Sequence, residues 1–115
     1  MTPAARLAAA IEVLEDIAVR RRPAADSLKE WGLAHRFAGS KDRSAIAGLV
    51  WDSLRVKSSS AFLMGETLET ATARGIALGA LVRARGLDVM AISNLCNGEG
   101  HAPPPLSEAE RARLT

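Results

Sequence analysis

The side chains in this sequence that are best suited to binding a ligand are basic. Arg36, Lys41 and Arg43 fall within eight residues of one another. They surround the predicted start of a helix, where free backbone N–H groups favour anions. Arg55 and Lys57 follow at the other end of the same helix. Because arginine and lysine are the usual partners of phosphate, we expect these five residues to form a phosphate-binding surface.

A structural role is the alternative for several of these residues. Arg43 stands one turn ahead of an apolar stripe, so an ion pair with Asp26 or Glu30 that ties two helices together is equally open. For Lys41 and Arg36 the alternative is an ordinary solvated surface. The residues alone do not decide between phosphate binding and these structural roles.

The densest run of charge is Arg20, Arg21 and Arg22. It forms a secondary basic patch, but it also ends a predicted helix, where cations interact favourably with the helix dipole. Dipole complementarity is sufficient to explain it.

The sequence predicts no catalytic residue and no metal site. His35 and His101 are not placed with a serine or cysteine in a nucleophile motif, and there is no glycine-rich phosphate loop. Cys96 is the single cysteine and falls on the apolar face of a predicted helix, which favours a small buried side chain. No second cysteine or histidine lies at the spacing of a zinc site.

Composition bounds the remaining possibilities. The chain of 115 residues is the size of one domain, and 48% hydrophobic with 24% charged residues is typical of globular proteins. Because the formal net charge is only +2, attraction to phosphate must come from local clustering. Aromatic residues at 3% argue against a base-stacking platform. With no signal peptide and no membrane-spanning apolar run, we expect a cytoplasmic protein without a membrane partner.

Apolar spacing predicts helices along the whole chain. Thr2 and Pro3 form a helix start, Asp88 is suited to cap a later helix, and no segment alternates as a strand does. The predicted helices, in chain order, cover Pro3 to about Arg22, Pro23 to His35, Ser40 to Arg55, Ser58 to Gly65, Leu68 to Arg85 and Val89 to Asn97. The fold class predicted is an all-α bundle of about five to six helices without a sheet.

The last part of the chain is expected to differ from the rest. Residues 101–105 have the sequence HAPPP, and consecutive prolines cannot continue a helix, so we predict a linker. Ser107 and Glu110 then match a capping box. We therefore divide the chain into a helical domain, residues 1–100, and a segment, residues 101–115. That segment is expected to hold the linker and the start of a truncated helix leading to a further domain.

Residues 39–55, GSKDRSAIAGLVWDSLR, resemble the NusB-like fold, in which a short Asp-Arg opening leads into a patterned helix. Asp42 and Arg43 match the opening. The helix pattern is matched by Leu49, Val50, Trp51 and Arg55. With the stretches WGLAHRFAGSKDR and GLDVMAISNLCNG, the chain is similar to the N-terminal domain of bacterial ribosomal RNA cytosine-5 methyltransferases, the group called Fmu or Sun.

This resemblance implies a function for the basic cluster. In the family, the helical domain precedes a Rossmann-like, S-adenosylmethionine-dependent methyltransferase domain and helps to bind ribosomal RNA. The implied partners are small-subunit ribosomal RNA, through the five basic residues named first, and the chain's own C-terminal methyltransferase domain. The family's glycine-rich cofactor loop and Pro-Cys nucleophile are missing, since Leu95 precedes Cys96. The resemblance thus implies a non-catalytic fragment, with S-adenosylmethionine bound by the absent domain.

Two other functions remain open at this point. One is a protein-interaction module that docks to its own catalytic domain or to a ribosomal or transcription protein, which the small residues Ala71, Gly75 and Gly79 favour. The other is a free-standing antitermination factor of the NusB type, against which the proline-rich segment argues. Fold similarity does not choose among these functions.

Overall fold

The computed structural model describes all residues from Met1 to Thr115 and contains seven α-helices and no strand. In chain order they are α1 Pro3–Arg20, α2 Ala24–Ala34, α3 Ser40–Arg55, α4 Lys57–Leu63, α5 Ala73–Arg83, α6 Val89–Leu95 and α7 Glu108–Leu114. The predicted all-α class is confirmed, and the predicted number of helices is close to the observed one. None of the seven is both long enough and apolar enough to cross a lipid bilayer.

The centre of the bundle is formed by α1, α3 and α5, which contact one another. Eight of the 11 residues of α5 are buried, because this helix is apolar on all sides and other helices enclose it. Leu7, Ile46 and Leu78 contribute one inaccessible side chain from each of the three helices. Burial of each such side chain stabilises the fold by about 1.5–3 kcal/mol.

Local capping sets several helix starts where the sequence predicts them. The Thr2 hydroxyl accepts a hydrogen bond from the Ala5 N–H at 3.0 Å, and the Asp88 carboxylate accepts one from the Ala91 N–H at 2.9 Å. Each cap satisfies a backbone donor that has no partner inside its helix.

The start of α5 corrects the prediction of a long helix from Leu68. Helix α5 begins at Ala73, because the preceding threonines bond locally to the backbone. The Thr67 N–H donates to the Thr70 hydroxyl at 2.9 Å, and the Thr70 N–H donates to the Thr67 hydroxyl at 3.1 Å. Such side-chain bonds offer the backbone an alternative to the helix, and Thr72 then caps α5.

The remaining helix boundaries are close to those predicted. Helix α3 has the predicted bounds, with Gly39 as its N-cap, and the Gly39 N–H donates to the Asp42 carboxylate at 3.4 Å. Helix α6 ends at Leu95 instead of Asn97. The other predicted boundaries agree within two residues, except at α5.

Helices α4 and α5 approach each other closely at a glycine. A Cβ added at Gly79 would lie 2.5 Å from the Cβ and 2.7 Å from the Cα of Ser60. Since the Cα belongs to the backbone, no side-chain rotation relieves this contact. A glycine is therefore required where the two helices cross.

The proline-rich segment packs against the bundle instead of forming an open spacer. Leu106 and Leu114 are buried in the common core. The Arg74 guanidinium donates to the Glu110 carboxylate at 2.8 and 3.0 Å and to the Pro104 carbonyl at 2.9 Å. The capping box predicted ahead of α7 is present. That this segment leads to a further domain stays a prediction.

Candidate nucleic-acid interface

A shallow groove between α2 and α3 carries three cations. Its volume is about 530 Å³. We call it the basic groove, and it is lined by Leu28, Lys29, Gly32, Leu33, Arg36 and Arg43. Three cations and no lining carboxylate give this surface a charge of +3, although the whole chain carries only +2.

Lys29 lies on α2 and Arg36 in the turn that follows this helix, and both line the basic groove. The turn is held by His35, whose backbone N–H and ring Nδ1–H both donate to the Trp31 carbonyl, at 2.9 and 2.8 Å. Lys29 is absent from the residues predicted for the site. Its place in the groove depends on how α2 packs against α3, which spacing along the chain does not reveal.

Arg43 reaches the groove from α3. Its side chain lies against Gly32, where an added Cβ would be 3.3 Å from the Arg43 Cδ, and its Nη1 donates to the Ala38 carbonyl at 2.9 Å. The alternative of an ion pair with Asp26 or Glu30 is wrong: Arg43 forms no ion pair, and Glu30 bonds to arginines of the first interhelical turn. The Arg43 guanidinium is thus oriented by a backbone carbonyl and is not paired with a carboxylate.

The start of α3 already holds a carboxylate. Asp42 accepts a hydrogen bond from the Arg6 Nε at 2.8 Å and one from the Gly39 N–H. The hydrogen bond from Arg6 is the main cause that lowers the Asp42 pKa below its usual value. A phosphate at this helix start would meet that carboxylate as well as the backbone N–H groups, so the anion site expected there stays a prediction. The cations of the basic groove remain the candidate contacts.

The other predicted contacts lie outside the basic groove. Lys41 is exposed on the first turn of α3 and does not line the groove. Arg55 forms an ion pair with Asp52 at 3.1 Å, and it lies about 18 Å along the helix from Arg43 at 1.5 Å per residue. Lys57 is exposed at the start of α4. The structure therefore brings two of the five predicted residues together and separates the other three from them.

The secondary basic patch is largely neutralised within the protein. Arg20 donates to the Glu30 carboxylate at 3.0 Å, Arg22 bonds to the same carboxylate, and both approach Asp16. The hydrogen bond from Arg22 is the main cause that lowers the Glu30 pKa. Arg21 is exposed and ends α1 in the left-handed conformation, with φ of 52°. Two of the three charges are therefore committed to ion pairs.

Residues suited to covalent or metal chemistry do not converge. Cys96 is buried, and its burial raises the pKa of the thiol, which disfavours the reactive thiolate. No group of three His, Cys, Asp or Glu side chains is arranged to hold a metal ion.

Comparisons with protein-family models, with curated proteins and with solved structures give no match to this chain. Function is therefore inferred from the residues and their geometry.

Proposed function

We propose that this chain is a helical domain that binds small-subunit ribosomal RNA and positions it for an attached methyltransferase domain. The observation that carries this proposal is the basic groove, where Lys29, Arg36 and Arg43 are exposed and unpaired with any carboxylate. Cations arranged in this way contact phosphate oxygens, and such contacts orient RNA without selecting its sequence.

The similarity of residues 31–55 to the cytosine-5 methyltransferase family supports the choice of RNA and of a bacterial, cytoplasmic setting. In this proposal the chain itself performs no chemistry. S-adenosylmethionine belongs to the attached domain, because an all-helical chain has no strand leading into a glycine-rich loop that would fit the cofactor. The helical domain contributes by orienting the substrate.

The groove sets the strength of binding that we expect. Each cation that contacts a phosphate of single-stranded RNA adds about 0.7 to the slope of log affinity against log salt, so three contacts give a slope of about −2. An affinity in the micromolar range or weaker at physiological salt follows from so few contacts.

The test is a salt titration of binding to a small-subunit ribosomal RNA fragment, measured by fluorescence anisotropy. The groove variant combines Lys29→Glu with Arg36→Glu. The matched variant combines Arg55→Glu with Lys57→Glu, which changes the net charge equally at the far end of α3. All four side chains are exposed, so both variants are expected to fold.

We expect the groove variant to lose detectable binding and the matched variant to keep an affinity within about threefold of the original protein. Equal loss in both variants would show that general positive charge, not the groove, attracts RNA. Binding that is unaffected by salt or by the groove variant would contradict the proposal.

A further inference from the structure

A second surface lies on the other side of α2, along its contact with α1. Two adjoining cavities of about 480 and 640 Å³ share Glu12, Trp31 and His35. We call the combined surface the acidic cleft. Its lining extends from Thr2 to Arg20, which corresponds to about 27 Å at 1.5 Å per residue.

Unpaired carboxylates surround this cleft. Glu12, Glu15 and Glu99 line it, are exposed, and form no ion pair. Two further lining carboxylates, those of Asp16 and Glu30, are paired with Arg20 and Arg22. The negative charge that remains open to a ligand is therefore concentrated in three glutamates.

An aromatic row forms the apolar part of the cleft. The Trp31 and His35 rings are stacked with centroids 4.1 Å apart, and Phe37 meets His35 edge-on at 5.9 Å. Phe37 is 76% exposed, so its ring is open to a ligand in the cleft. Such a ring beside carboxylates is a favourable contact for an arginine or lysine side chain.

Trp31 supplies a third, independent observation. The residue is only 8% exposed, lines both cavities, and its buried Nε1–H has no acceptor in the protein. Buried donors without an acceptor are rare in folded proteins. A main-chain carbonyl of a segment bound in the cleft is a suitable acceptor.

We propose that the acidic cleft docks a cationic amphipathic segment of a protein partner. Apolar residues of that segment occupy the space between α1 and α2, and its arginine or lysine side chains contact Glu12, Glu15 and the face of Phe37. Charge complementarity identifies the occupant, because the cleft repels phosphate and so disfavours RNA. The length of the cleft matches several helical turns and exceeds a single small cation. The inference does not depend on the proposed function of the basic groove.

The probe is a labelled helical peptide with leucines along one face and arginines at both edges. Two control peptides accompany it, one with glutamate at every arginine position and one with the same composition in a scrambled order. Binding is measured by fluorescence anisotropy to the full chain. The cleft variant combines Glu12→Lys with Glu15→Lys, and the matched variant combines Glu69→Lys with Glu108→Lys, all at exposed positions.

We expect the patterned arginine peptide to bind and both control peptides to bind at least about tenfold more weakly. The cleft variant should weaken binding by about tenfold, the matched variant by less than about twofold. Phe37→Ala should weaken it by several fold while leaving RNA binding unchanged. Failure of the patterned peptide to bind, equal binding of the scrambled peptide, or equal loss in the matched variant would each overturn the inference. The RNA titration of the same variants is a separate readout, so failure there affects only the proposed function.

Discussion

The two sides of α2 differ in charge, in shape and in the chemistry that they can bind. On the side that faces α3, Lys29, Arg36 and Arg43 form a shallow basic groove without a carboxylate. On the side that faces α1, Glu12 and Glu15 border a longer cleft with aromatic residues in it. One 11-residue helix separates them. A net charge of +2 therefore conceals two surfaces of opposite charge.

Internal ion pairs produce this separation. Arg20 and Arg22 form ion pairs with Glu30 and Asp16 near the contact between α1 and α2. Arg6 forms an ion pair with Asp42 beside the basic groove. Charges that are paired in this way do not reduce the potential of the unpaired charges on each surface. The unpaired charged side chains that line the basic groove are all cations, and those that line the acidic cleft are all carboxylates. Surfaces of opposite charge favour oppositely charged ligands.

The largest effect is expected from removing the residue that anchors α2. Trp31→Ala deletes a side chain that is only 8% exposed and is part of the main core. Truncation of such a residue typically lowers the free energy of unfolding by about 3–5 kcal/mol, which urea denaturation measures. Because α2 forms one wall of both surfaces, affinity for RNA and for the cationic peptide should fall together.

Gly79→Ala is the control for that experiment. It also destabilises the protein, by about 1–3 kcal/mol from the contact with Ser60, but it lies between α4 and α5. Under conditions where the variant is folded, both affinities should equal those of the original protein. If both variants lose binding equally, the loss reflects global stability and not the position of α2.

A smaller effect is expected from Asp42→Asn. Arg6 holds the pKa of this carboxyl below its usual value, so the folded state binds its proton less readily than the unfolded state. Its contribution to stability is complete above about pH 4, the ordinary aspartate value, and is lost as pH falls through the lowered pKa. Urea denaturation should show a less stable variant at pH 7 and a difference that becomes smaller as the pH is lowered below about 4.

Asp42→Asn is also expected to affect ligand binding at the two surfaces differently. Removing a negative charge next to the basic groove should strengthen RNA binding by about twofold at low salt and leave peptide binding in the acidic cleft unchanged. Weaker RNA binding in Asp42→Asn would mean that the start of α3 contributes through its structure more than through its charge.

The smallest effect is expected at Lys41, which is exposed but outside the groove. Lys41→Gln removes only a neighbouring charge, so RNA affinity should change by about twofold or less. Lys29→Gln removes a groove contact and should cost about fivefold. The RNA affinities of both variants are measured at the same salt concentration. A larger loss of affinity in Lys41→Gln than in Lys29→Gln would place the RNA-binding surface at the exposed start of α3.

The sequence was sufficient to predict features that depend on residues three or four apart. The caps at Thr2, Asp88 and Ser107, and the apolar stripe of α3, follow from local spacing and are present. The start of α5 was wrong because paired threonine side chains compete with a helix for backbone donors. That competition is also local, but helical spacing does not reveal it.

The candidate site was less predictable because it depends on tertiary placement. That Asp42 pairs with Arg6 depends on how α1 crosses α3, and those residues are 36 positions apart. Arg43 has no carboxylate partner, because Glu30 forms ion pairs with Arg20 and Arg22 instead. Clustering along the chain identified Arg36 and Arg43. The packing of α2 decides which cations share the basic groove and which carboxylates line the acidic cleft.

The burial of Trp31 in the wall of the acidic cleft makes its fluorescence a useful measurement. The chain has two tryptophans: Trp31 is buried at the wall of the acidic cleft, and Trp51 is 52% exposed on α3. Their indoles sit in different solvent environments, so their intrinsic emission should differ in wavelength and in quenching by iodide or acrylamide. The unlabelled protein thus carries its own optical probe of the cleft, with the solvent-facing indole as an internal reference.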